Sequence, residues 1–393
     1  MMLKYIILYI ICPAYSLIWG IARLKYNDKS AIFVVSLVFG LFAFLTPPVT
    51  DLYRHTLDYY AYRGMSFNDF VIGYRSFDFI IPFCEWALSN LRIPYPFLRF
   101  VLFFLTTYLQ LKLFFKITDG HFYNCSDFRL RLFAVLLMCF SLSTIIGVRW
   151  GVSVVLYNYG TYYYINENNR KKAFYYFFLA SMVHFSMLPF ICFVFFLSFI
   201  HIPKPLFPVC FIIATIMSLA IGGYVESILV SRNLYGADFV SNSEFGSGTT
   251  YISFNGLVFL YATRITKIPY IIVFWLFYDN RTLWTRWIAS ALLLFALFSH
   301  FGVITSRTMS LFSGISVFYL FSLEMRTKTT IKYFKMIILC LTLMTAFTIY
   351  QYRKMFAVSH YGYMFVPAPL SITQDYDENW IKFNLDENGE IKK

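Results

Sequence analysis

Apolar runs of about 17–25 residues recur along this chain, and each is long enough to cross a bilayer as a helix. Composition agrees: 59% of the 393 residues are hydrophobic and 13% are charged, against about 25% charged in an ordinary soluble domain. The mean hydropathy is +0.62. The fold class is therefore an all-α polytopic integral membrane protein with long extracytoplasmic loops. Spans are placed near 4–22, 31–47, 97–116, 132–147, 151–166, 173–189, 190–202, 206–224, 256–278, 287–304, 308–324 and 336–351. That is about twelve helices, within a range of 10–13. The first run leads into "RLKYNDK" and not into a small-residue cleavage site, so it is expected to remain as a helix.

A net charge of +13 raises the question of nucleic acid. The positions of the charges answer against it. Lys and Arg sit in short clusters between apolar runs, as the positive-inside rule produces. These clusters are Arg23/Lys25/Lys29, Lys112/Lys116/Arg129/Arg131, Arg170/Lys171/Lys172, Lys204, Arg281/Arg286 and Arg326/Lys328/Lys332/Lys335. With twelve spans and both termini outside, every cluster falls in the cytoplasm. Merging 173–202 into one helix would put the last two on the wrong side. Seven cysteines are scattered without a CxxC pair and read as small apolar fillers.

This orientation puts the long polar segments 48–96 and 225–255 outside. Residues 1–351 form one helical membrane domain, and 352–393 a polar, acidic tail expected to be a solvated or disordered end. Loops of this length attached to a bundle commonly carry a site.

Arginine inside "IIGVRWGVSVVLYNYG" needs a reason. Arg149 lies at the outer edge of a span, with Ser153, Tyr157 and Gly160 following on its face. An arginine in the bilayer core costs about 2.5–3.5 kcal/mol on insertion scales. Snorkelling to headgroups is the plain account of a single case. Further cases gather at the same depth: Arg307 with Ser306 and Ser310, His300, His184, Arg264 and Lys267. Basic residues are biased inward, so an outer cavity lined by Arg and His is the simpler explanation. Guanidinium pairs with phosphate oxygens, and such a cavity suits a diphosphate reached from lipid. Arg149, Arg307 and Arg264, with Arg54 and Arg232 from the outer loops, are the candidate diphosphate ligands. The alternative role for each intramembrane His is a helix-packing hydrogen bond.

The stretch "DLYRHTLDYYAYRG" sets Asp51, Arg54, His55 and Asp58 among tyrosines. At helical spacing Asp51, Arg54 or His55, and Asp58 share a face. Tyr53, Tyr59 and Tyr60 beside carboxylates suit sugar binding, and Tyr157 is a further candidate. An interfacial amphipathic helix is the plain alternative. No DxD, HExxH or Gly-rich phosphate loop is present, so neither metal nor cofactor is expected.

Three stretches resemble the EpsG-like branch of Wzy-type polysaccharide polymerases. They are "DLYRHTLDYYAY", "VRWGVSVVLYNYGTYYYINENNRKKAFYYFFLASMVHFSML" and "SRTMSLFSGISVFYLFSL", within about residues 30–325. Trp150 departs from the pattern, where a smaller or polar residue is expected. The resemblance implies a multi-pass enzyme of the bacterial inner membrane. It would transfer a growing glycan from its undecaprenyl-diphosphate carrier onto the next lipid-linked repeat unit, at the outer face. Its implied partners are that lipid-linked oligosaccharide, membrane lipid and a chain-length regulator protein. The chemistry needs positive charge for the leaving group, from Arg149 and Arg307, and a base, from His55, His184, His300, Asp51 or Asp58. Two rivals stay open: a GT-C glycosyltransferase with a polyprenyl-phosphate sugar donor, and a lipid-linked oligosaccharide flippase.

Overall fold

The computed structural model describes residues 2–24, 28–49, 51–74, 77–117, 145–231, 268–300, 307–312 and 331–392, apart from 375, 387 and 388, with a few isolated positions between. The helices in chain order begin with α1 (Met2–Ile11), α2 (Pro13–Leu24), α3 (Lys29–Phe44), α4 (Asp51–Ala61), α5 (Phe67–Gly73), α6 (Ile80–Asn90) and α7 (Tyr95–Ile117). Next come α8 (Val148–Ile165), α9 (Arg170–Val183), α10 (Met187–Ser198), α11 (Leu206–Ser231), α12 (Ile268–Leu276) and α13 (Leu283–Leu297). The C-terminal part holds α14 (Ile331–Gln351), α15 (Arg353–Val358), α16 (Ala368–Ile372) and α17 (Glu378–Asn384). Among the described residues the chain is helical, with β pairing confined to an isolated Leu385–Ile391 bridge.

Tyr95–Ile117 and Leu206–Tyr224 are long and apolar enough to cross a membrane. Shorter apolar helices occupy Met2–Ile11, Lys29–Phe44, Met187–Ser198, Leu283–Leu297 and Lys335–Gln351. This pattern fits a polytopic membrane protein. Phe174, Ile212, Ile216 and Leu219 stand exposed, as side chains meeting lipid would. Most of the spans expected at 132–147 and 308–324 lies outside the described residues, as does the first half of 256–278.

The chain divides into two compact units. The first comprises Met1–Tyr159, Phe178–Phe185 and Thr345–Lys393. Its centre is α3, started by Asp28, whose carboxylate accepts from the Ser30 N–H at 2.9 Å. α3 is buried along nearly its whole length, and α7 packs against it. Gly40 lets the two helices meet: a Cβ there would lie 2.9 Å from the Phe100 carbonyl oxygen. The first expected span is in two pieces, because Pro13 has no N–H to return to the preceding turn.

The polar segment after α3 is not a bare loop. It folds into α4, α5 and α6. The C-terminal tail is likewise ordered and not a solvated end: it supplies caps for α3. A helix end leaves its last carbonyls without partners. Here Arg99 donates to the carbonyls of Thr46 at 2.7 Å and Phe44 at 3.3 Å. Tyr376 donates its hydroxyl to the Leu45 carbonyl at 2.6 Å. The Tyr361 ring stacks on Phe42 at 4.1 Å, and its hydroxyl meets that of Thr46 at 2.9 Å.

The second unit comprises Gly160–Phe177 and Ser186–Met344. Its centre is α13, capped by Thr282 and packed between α10 and α11. Trp287 is fully buried there against Tyr164 and Phe177.

Candidate functional site

The acidic and imidazole groups of the first unit are gathered by α4 and α6. A set of hydrogen bonds ties the two helices together. Ser89 donates its hydroxyl to the Tyr59 carbonyl at 2.5 Å, Trp86 its indole N–H to Met65 at 2.9 Å, and Asn90 its amide to Tyr62 at 3.1 Å. Tyr59 donates to the Ile93 carbonyl. This brings Glu85, alone in the apolar "FIIPFCEWALS", up to His55.

His55 is buried, and both its ring nitrogens face carboxylates. Nδ1 lies 3.4 Å from Glu85 Oε1, and Nε2 lies 3.8 Å from Asp51 Oδ2. Glu85 is also buried, and the Tyr95 hydroxyl donates to it at 3.4 Å. Asp51 sits in the first turn of α4, where a carboxylate suits the helix dipole, and pairs with the exposed Arg54 at 2.6 Å. Asp58, two turns on, keeps part of its surface in solvent. Its carboxyl is held above the ordinary carboxylate range, by burial first and also by Glu85, while His55, Arg54 and Arg149 pull the other way. The Tyr62 phenol is pushed up to about 12 by burial, Glu85 and Asp58.

Arg149 is the second residue of α8, at the start of the helix. Its Nη1 donates to Asp78 Oδ2 at 3.4 Å. Asp78 is buried and also accepts from the Tyr74 hydroxyl at 3.0 Å. Among the described residues this contact orients one edge of the guanidinium. Trp150, the departure from the family pattern, meets His184 edge to face at 5.3 Å, which gives His184 an aromatic packing partner.

The expected site residues are distributed over both units. Asp51, Arg54, His55, Asp58, Arg149 and His184 belong to the first unit. His300 and Arg307 belong to the second. His300 donates its backbone N–H to Ser218 at 3.1 Å and seats its ring on Gly222, which is a helix-packing environment. The Arg307 carbonyl accepts from the Ser310 hydroxyl at 2.7 Å. Arg232 and Arg264 lie outside the described residues. Tyr59 and Tyr157 are fully buried, so neither offers a ring face to a sugar, and the sugar-binding expectation falls to Tyr53 and Tyr60. The sequence reading left Asp78, Glu85 and Arg99 out of the site. A signal existed for Glu85, the lone charge of α6, and for Arg99, which stands more than three turns from the other charges of α7, Lys112 and Lys116.

Among the described residues the chain is helical, with apolar helices that fit the class of polytopic membrane proteins, and its first unit gathers a guanidinium, carboxylates and an imidazole. The particular family follows from the sequence. The chain belongs to the EpsG family, whose model matches residues 34–364. Membership points to a polysaccharide polymerase-type function. No curated protein and no solved structure matches the chain.

Proposed function

We propose that this protein is a Wzy-like polymerase of the bacterial inner membrane, spanning it about twelve times. It moves a growing glycan from undecaprenyl diphosphate to the next lipid-linked repeat unit at the outer face. The observation that carries this reading is the placing of Arg149 and the α4–α6 carboxylates in one unit of an EpsG-family chain.

Asp58 is the base best suited to the acceptor hydroxyl. It is exposed to solvent, and its raised pKa makes it a better proton acceptor than an ordinary aspartate. His55, buried between Asp51 and Glu85, positions α4 and tunes the charge around it. The acceptor oxygen bonds to the anomeric carbon of the growing chain while its proton passes to Asp58. The bond from that carbon to the diphosphate breaks, and the electron pair leaves with the lipid diphosphate. Arg149, fixed by Asp78 on one edge, offers its other N–H groups to the departing charge. His184 and His300 have packing partners and no assigned proton.

Purified protein in liposomes, given only the lipid-diphosphate-linked repeat unit, is expected to make a ladder of longer glycans. No nucleotide sugar is required, because donor and acceptor are the same kind of molecule. Chelator is expected to leave the ladder intact. Addition of one sugar from a lipid-monophosphate donor, and then arrest, would overturn the polymerase reading in favour of a GT-C transferase.

A further inference from the structure

Behind the face of α4 that carries the carboxylates lies a second feature. On a helix of about 3.6 residues per turn, Asp51, His55 and Asp58 share one face, while Tyr53, Leu57 and Tyr60 share the opposite one. Those last three form one wall of a cavity of about 770 Å³. The other wall is the C-terminal segment, with Glu378, Lys382 and Asp386. We infer that this cavity is a distal glycan subsite, which holds a stretch of polysaccharide remote from the reacting sugars.

The segment is built to stand there. Asp377 caps α17 by accepting from the Trp380 N–H at 2.7 Å. The chain then turns back on itself through the Leu385–Ile391 bridge, with the Asp386 N–H donating to Glu390 at 2.9 Å. Gly389 sits at the turn with φ +75°, and a Cβ there would come within 2.5 Å of Tyr53. The turn therefore lies flat on the tyrosine, and both the backbone angle and the contact demand glycine.

The lining has the chemistry of a carbohydrate site. Tyr53 and Tyr60 line the cavity, each with one face already taken, Tyr53 by the Gly389 turn and Tyr60 by the Arg63 guanidinium, and bring aromatic surface and hydroxyls to a sugar. Glu378 and Asp386 accept from sugar hydroxyls, and Lys382 and Lys392 donate. Two carboxylates against two ammonium groups leave the cavity near neutral, which favours a hydroxyl-rich ligand over a phosphate. The volume lies within the roughly 300–1,000 Å³ of small-ligand pockets. The subsite lies on the far side of α4 from Asp58, and a helix with its side chains is about 10–12 Å across. A chain held there is several sugars away from the bond being made.

This inference rests on the polymerase reading for the identity of the glycan, and binding separates the two. The probe is an oligosaccharide released by partial hydrolysis from the surface polysaccharide of the source strain. It is titrated into the full chain in detergent, with calorimetry or saturation-transfer NMR as the readout. Tyr60→Ala and Asp386→Asn are each expected to weaken binding at least tenfold, and Tyr60→Phe to restore most of it. In the liposome assay the first two variants are expected to yield shorter ladders. Unchanged affinity in Tyr60→Ala and Asp386→Asn, with both folded by thermal unfolding, would overturn the subsite. Binding that depends on Tyr60 and Asp386 in a protein that makes no ladder would keep the subsite and sink the polymerase reading.

Discussion

Arginine alone does not mark a site, and two arginines of the first unit show why. Arg99 is buried and donates to the carbonyls that end α3. Its role is structural. Arg99→Ala strands those carbonyls, at about 1–3 kcal/mol for each group left unsatisfied. The expected result is a lower unfolding midpoint and less protein in the membrane. Among the described residues Arg149 donates to Asp78 at 3.4 Å. Arg149→Ala is expected to keep normal protein levels and lose about 10²–10³-fold in polymer formation. Arg149→Lys should recover little, because a point charge lacks the paired geometry. Normal polymer in Arg149→Ala would return it to the plain ion-pair role. Asp58 gives the opposite sign in stability. Its folded pKa is raised, so its contribution is full below the unfolded value of about 3.9 and is lost as pH rises through the folded one. Ionised Asp58 therefore costs stability near neutral pH. Asp58→Asn is expected to match or exceed the wild-type unfolding midpoint at pH 7, with the difference vanishing in acid. Its transfer rate should fall by about 10²–10⁴-fold. A drop in both would assign Asp58 a structural role.

At the scale of elements, the contact between α3 and α7 is the most exacting. Gly40 has the Phe100 carbonyl oxygen 2.9 Å from where a Cβ would stand, and backbone cannot yield as a side-chain tip can. Gly40→Leu is expected to destabilise by more than the about 1–3 kcal/mol of ordinary overpacking, read as a fall in unfolding midpoint in detergent. Apolar run length made the helices of the core legible in the sequence, since periodicity and length are local properties. The short helices α4, α5 and α6 were less so. Their sequence is mixed and aromatic, and only α4, with its carboxylates at helical spacing, announced itself. α6 lies within a segment expected as a long outer loop, and it is Ser89, Asn90 and Trp86 bonding to the α4 side that makes Glu85 a neighbour of His55. The tail misled for the same reason. Its acidic composition describes a solvated end, and its packing depends on the carbonyls of a helix more than 300 residues away in sequence.

For the whole molecule, orientation is the property everything else depends on. Asn68→Cys, on exposed α5, is expected to react with an impermeant thiol reagent in intact cells lacking the native cysteines. Glu167→Cys, in the exposed turn before α9, should react only after the membrane is opened. The reverse pattern would place the α4–α6 face in the cytoplasm and remove the polymerase site from the outer leaflet. The sequence by itself determined the helical membrane class and the family. These follow from composition, run length and local order, which a linear reading measures directly. Only the tertiary structure decided which charges meet. Asp78 joins Arg149 across 71 positions, and Glu85 joins His55 across 30. It also turned Tyr53 and Tyr60 away from the carboxylates beside them in sequence, toward a wall built by the far end of the chain. The reason is physical. A helix gives neighbouring residues opposite faces, and what each face meets is set by packing between distant segments, which no local pattern encodes.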